Sequence, residues 1–170
     1  KKYFEMQSFL NISDIILVPA YLLILILISN RIKRKNISKI PEYKFLTKGL
    51  ILKLSGVSVF CFVYLFVYSG GDTISYFLGS KALFSVLVNE FEKGVALIFN
   101  LYHPDNYWGS FEYGEFYPPH YMYKDDGTFI VSRVSTIFYI LGSGSFIVTS
   151  FLTATFSYIG ESVKKIDCGT

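Results

Sequence analysis

Cysteine is almost missing from this chain. Its 170 residues include only Cys61, inside an apolar run, and Cys168, in the C-terminal tail. Two cysteines placed like this give neither zinc-ligand spacing nor a disulfide framework. There is no Gly-rich phosphate loop, no nucleophile elbow and no CxxC pair, which removes the usual motif-borne routes to nucleotide, acyl-transfer and thiol chemistry. No repeat or low-complexity tract is present. The basic residues form no stripe of their own but cluster beside an apolar span, so the net charge of +3 does not point to nucleic acid. The first apolar run ends in a basic block and not in a small-residue cleavage site, which argues against a signal peptide.

What is abundant is apolar and aromatic surface. Hydrophobic residues make up 52% of the chain and aromatics 19%, and the excess sits in long runs. That predicts an all-α integral membrane protein. Residues 15–29, "IILVPAYLLILILIS", are uncharged. With flanking residues from about 10 they approach the roughly 20 residues a helix needs to cross the hydrocarbon, and Pro19 is tolerable there. Residues 49–68 read as a second span, with Lys53 near one end, able to snorkel, and Tyr64 and Tyr68 toward the other interface. Residues 134–159 carry no charge and read as a third span, with the small residues of "GSGS" at 142–145 allowing close approach.

Between the first two spans lie Arg31, Lys33, Arg34, Lys35, Lys39, Lys44 and Lys48 against the single acid Glu42. A short basic loop of this kind marks the cytoplasmic side. Loop 69–133 is then periplasmic or extracellular, in a bacterial inner membrane, and its eight acids against four bases suit that placement. Residues 74–100 repeat apolar positions at helical spacing and predict one or two amphipathic helices, in the interface or packed on the spans. Residues 101–128 hold nine aromatics in their first twenty-four positions, with three prolines and two glycines, which reads as an ordered outer loop. The chain begins Lys1-Lys2 and ends in a tail of different character, so a portion of a longer polytopic protein is expected.

Several residues are candidates for chemistry. Asp72 follows Gly70-Gly71 at the outer mouth of the second span. It reads either as the N-cap of the next helix or as a partly desolvated general base that takes a proton from a sugar hydroxyl. Arg133, where the loop returns, is an interface anchor or a clamp for phosphate or pyrophosphate, and Lys124 is a weaker second. Tyr107, Trp108 and Glu112, with neighbouring phenols and carboxylates, have the composition of a carbohydrate platform, since sugar C–H faces lie well on aromatic rings. A membrane-interface belt gives the same composition. His103 and His120 lack metal-pair spacing, and neither metal nor cofactor is indicated.

"GGDTISY" at 70–76, just after an early span, resembles a pattern in Wzy-like polysaccharide polymerases and the related C-type polytopic membrane glycosyltransferases, and "SRVSTIFYILGSGSF" at 132–146 looks like the Arg-led span that follows. The resemblance implies transfer from a polyprenyl-linked sugar to a glycan acceptor outside the cytoplasm. It implies Asp72 as base or acceptor-binding acid, Tyr76 as a sugar-positioning residue and Arg133 as the group facing the lipid phosphate. Such enzymes have about eight to fourteen spans and this chain has about three, so by this resemblance it is an N-terminal portion, inactive alone. Two other classes compete: a non-enzymatic membrane subunit whose loop 69–133 binds a partner protein, and a transporter fragment. The near absence of charge within the spans weighs against an ion-coupled pump.

Overall fold

The computed structural model describes residues 9–68, 70–101, 107–119 and 126–167; for 107, 108, 126 and 161–167 it describes the backbone alone. Every regular element among them is helical. Helix α1 is Asp14–Asn36, and a 3-10 turn at Pro41–Phe45 leads into α2, Leu46–Phe62, which continues as a π-helical turn over Val63–Tyr68. Then come α3 (Asp72–Asn89), α4 (Phe91–Ile98), a short α5 (Tyr107–Ser110) running into a 3-10 turn at Phe111–Tyr113, α6 (Asp126–Leu141) and α7 (Phe146–Asp167).

Two helices are long and apolar enough to cross a membrane: α1, and the continuous 28-residue rod Pro41–Tyr68. A third crossing exists only if α6 and α7 count as one broken span, because they meet at 115°. The straight span expected over 134–159 is therefore corrected to two helices and an elbow. The cause is local. The Ser143 N–H donates to the Ile140 carbonyl (3.1 Å) and the Gly144 N–H to the Tyr139 carbonyl (3.0 Å), with Ser143 at φ 52° and Gly144 at φ 74°. This is a Schellman stop, which satisfies the last carbonyls of a helix. Ser145 then caps the start of α7, its hydroxyl accepting from the Val148 N–H at 3.3 Å. A stop followed at once by a start leaves the chain no straight path.

The hairpin of α1 and α2 is stitched by hydroxyls where its arms meet the connecting turn. Ser29 donates to Thr47 (3.2 Å), and Thr47 donates to the Asn30 side-chain carbonyl (3.0 Å). Leu25, Leu50, Leu54 and Phe151 form the core that joins this hairpin to α7. The Tyr158 hydroxyl donates to the Leu46 carbonyl at 3.0 Å, and a side chain at Gly49 would collide with that phenol.

The region 74–100 forms two helices, and the first packs among the other helices. Nine of the 18 residues of α3 are buried, among them Ala82, Leu83 and Val86, each fully. In α1, by contrast, only Asp14, Leu25 and Ser29 are buried. Small and hydroxyl residues distributed around α3 let neighbours approach it from several directions, so it sits at the centre. It packs most extensively on α6, where Ser80 donates to the Ser132 carbonyl at 3.1 Å and Phe77 lies 5.2 Å from Tyr139, centroid to centroid. Helix α4 stops as α6 does: Asn100 takes φ 57° and the Leu101 N–H donates to the Ala96 carbonyl at 2.8 Å, asparagine being the usual substitute for glycine in the left-handed region.

Candidate functional site

Among the described residues, a cleft of about 280 Å³ lies between α2, the start of α3, α6 and α7. Its lining includes Lys53 and Phe60 from α2, Thr73 and Tyr76 from α3, Ser135 from α6, and Thr149, Ser150, Thr153 and Ser157 from α7. Half of its fourteen lining residues carry a hydroxyl, and Lys53 is the one charged residue in the set. The α7 hydroxyls share a face because they recur at about one helical turn. Three of them already spend their protons: Thr149 donates to the Ser145 carbonyl, Ser150 to Phe146 and Thr153 to Thr149. What those three offer the cleft is acceptor lone pairs. Lys53 supplies donors, and the wall therefore presents both partners that a polyhydroxyl ligand needs.

Asp72 does not line this cleft, though its chain neighbour Thr73 does. Asp72 is the first residue of α3 and exposed, one turn before Tyr76 on the same helix face. The reading of it as an N-cap is corrected. The cap position belongs to Gly71, at φ 118°, and no side-chain cap bond forms, so Asp72 instead complements the helix dipole from within the first turn. Being exposed, it is not desolvated by this chain. Gly71 is required there for two reasons: its φ is one that other residues adopt rarely, and a Cβ would strike the Tyr64 ring.

Tyr76 is half-buried and lines the cleft. Arg133 does not. It is only 4% exposed, with its guanidinium carbon 4.6 Å from the centroid of the Phe129 ring, one turn earlier on α6. Its Nε and Nη2 have no hydrogen-bond partner. The reading of Arg133 as an interface anchor is thus corrected: it is buried within the protein, as a guanidinium stacked on an aromatic face can be.

The aromatic segment is partly a core and partly a shell. Phe111 is fully buried with Leu83, Val86, Leu97 and Phe129. Gly114 lets the segment lie directly against Ser85 and Val86 of α3. The Lys93 amine sits 3.3 Å from the Tyr113 ring centroid, the Lys81 amine 3.9 Å from that of Phe116, and Asn89 donates to the Tyr113 carbonyl at 3.0 Å. Glu112 is exposed on the 3-10 turn. Tyr107 and Trp108 belong to α5 by backbone, with side chains outside the described residues, and Lys124 lies outside them altogether. No group of His, Cys, Asp and Glu able to hold a metal occurs among the described residues.

One feature was missed in the sequence, and a second, Lys53, was read only as an end residue able to snorkel. Asp14 is buried, with one carboxylate oxygen accepting from the Asn11 N–H at 2.9 Å and the other without a hydrogen-bond partner. Lys53 is the more consequential. The Ser29–Thr47 contact sets the register of the hairpin, and six residues along each arm from it lie Leu23 and Lys53, about 9 Å away at 1.5 Å per residue. Leu23 lies inside the uncharged run 15–29, so Lys53 is level with an apolar stretch of α1. The signal was legible: a lysine inside an apolar stretch, and "VTSFLTATFSY" carrying hydroxyls at four-residue spacing. No known family model, curated protein or solved structure matches the chain.

Proposed function

We propose that this chain is part of an integral membrane glycosyltransferase or polysaccharide polymerase that works on lipid-linked sugars. The observation that carries this reading is the cleft: an apolar and hydroxyl-rich wall within apolar helices, with Thr73 and Tyr76 in its lining and the exposed carboxylate of Asp72 next to Thr73 in the chain. A lipid-linked sugar has the matching two-part chemistry, an apolar chain and a head rich in donors and acceptors. In this reading Asp72 takes the proton from an acceptor hydroxyl, whose oxygen attacks the anomeric carbon of the donor as the lipid phosphate departs. Tyr76 positions the sugar. The basic segment 30–48 faces the cytoplasm by its charge, the broken α6–α7 pair is the third crossing, and Asp72 faces the outer side of a bacterial inner membrane.

The test is Asp72→Asn in the full-length protein, in cells that need it for surface polysaccharide, scoring polymer length beside protein abundance. Asp72 makes no side-chain cap bond, so abundance is expected to stay normal while polymer is lost. Normal polymer at normal abundance overturns the assignment. It would favour the second reading, a subunit that binds a partner protein, for which the specific observation is the exposed aromatic face of Tyr113, Phe116 and Tyr117.

A further inference from the structure

A second cavity, of about 180 Å³, lies along the C-terminal half of α3 and shares no lining residue with the cleft. Lys81, Phe84 and Val88 line it from one face of the helix, at spacings of three and four residues. Glu115 and Phe116 line it from the aromatic segment, and Tyr139 from α6. Two contacts seat the segment there. Gly114 lies so close to α3 that a Cβ would strike the Ser85 hydroxyl, and Asn89 ties the Tyr113 carbonyl to the end of the helix at 3.0 Å.

This cavity carries one charge of each sign, Lys81 and Glu115. Opposite charges beside one small space attract, and the four-carbon stem of lysine lets its amine swing widely. Yet among the described residues no ion pair joins the two. The Lys81 amine lies instead over the ring of Phe116, the next residue after Glu115, at 3.9 Å from its centroid. An ammonium on a ring face keeps N–H groups that can turn to a ligand. The carboxylate of Glu115 is exposed. The cavity wall thus presents a cation and an anion side by side instead of a closed pair.

We infer that this cavity binds a zwitterion, a small molecule with an anionic group and an ammonium a few bonds apart. The anion meets Lys81, the ammonium meets Glu115, and Phe84 and Val88 cover the apolar part. A ligand of one sign would engage one wall charge and be repelled by the other. The volume is that of about six liquid waters, room for an amino acid or for the phosphoethanolamine head of a phospholipid, which share this chemistry. The inference does not rest on the sugar reading, since Lys81 lies about 14 Å along α3 from Asp72.

The experiment is protection of a thiol. Val88→Cys places one at an exposed position on the cavity wall, in the full-length protein made otherwise cysteine-free and held in nanodiscs of phosphatidylglycerol. Glu112→Cys, exposed and outside the lining, is the control. L-Leucine is expected to slow maleimide labelling of the Val88→Cys protein severalfold and to leave the control unchanged. Isocaproate and isoamylamine, which carry the two charges of leucine singly, should protect poorly at the same concentration. Lys81→Gln and Glu115→Gln should each raise the leucine concentration for half-protection about tenfold, the loss of one charge-assisted hydrogen bond.

Leucine protection that phosphatidylethanolamine in the disc does not reproduce identifies a free amino acid. Protection by phosphatidylethanolamine, with or without leucine, identifies a lipid head. Protection by neither overturns the site. Equal protection by the single-charge analogues, or indifference to both Gln variants, overturns the zwitterion assignment. Each of these outcomes is independent of the polymer readout for Asp72→Asn.

Discussion

The hydroxyl of Tyr21 on α1 donates to the carbonyl of Leu141 at the end of α6, 120 residues away in sequence. One phenol thus fastens the first helix to the elbow and supplies a partner to a carbonyl that the helix end would leave exposed. Tyr21→Phe is expected to cost about 1 kcal/mol, the net worth of such a bond. Gly144→Ala should cost about 1–2 kcal/mol by forcing a side chain into the left-handed region at φ 74°. Thermal unfolding of the purified protein in detergent should rank both below the parent.

Two glycines should respond in opposite ways to the same change. At Gly94 a Cβ would run into the backbone of Leu87, which cannot rotate aside. Gly94→Ala is expected to lose about 1–3 kcal/mol through overpacking. At Gly56 nothing lies within 4 Å, and Gly56→Ala should be neutral or gain up to about 1 kcal/mol from helix propensity. Equal effects in a melting experiment would show that the α3–α4 contact is looser than described.

The aromatic segment separates core from shell. Phe111→Ala removes a fully buried ring and should cost about 3–5 kcal/mol. Glu112→Gln, one residue on and exposed, should leave stability unchanged within about 0.5 kcal/mol. If Glu112 also contacts sugar, the Gln variant will show shortened polymer at normal abundance, a difference that gel analysis of surface polysaccharide reads directly.

Arg133 gives the sharpest contrast between burial and need. Its Nε and Nη2 are buried without partners, and replacing a poorly compensated buried charge by a group of similar volume is often neutral or stabilising. Arg133→Met is therefore expected to accumulate at or above the parent level. Should polymer be lost in that variant at full abundance, the guanidinium serves a ligand; should abundance collapse instead, it holds the fold.

The helices were largely legible in the sequence because their signal is additive: fifteen uncharged residues or a helical repeat of apolar positions outweighs any one exception. What escaped was set by single residues in context. "GSGS" read as small residues for close packing, yet the same letters encode a left-handed stop and a serine start. Asp72 read as a cap because aspartate favours that position, but Gly71 tolerates the unusual backbone better and took it. Lys53 read as an end residue because the apolar run begins at Gly49. The hairpin register, set by Ser29 and Thr47, places it level with Leu23 of α1. Tyr76 entered through a resemblance and lies in the cleft, whereas Arg133 entered through its position at the return of the loop and does not.

The elbow at 142–145 has a consequence beyond bending the chain. Each residue of a helix turns its successor by about 100°. The length of this turn therefore fixes the rotational phase of α7, as a keyway fixes a shaft. Lengthening it by one residue while its two anchors hold would swing Thr149, Thr153 and Ser157 away from Lys53 and face them elsewhere, with composition, hydropathy and every helix intact. The polar lining depends on the count of residues in the turn as much as on the hydroxyls themselves.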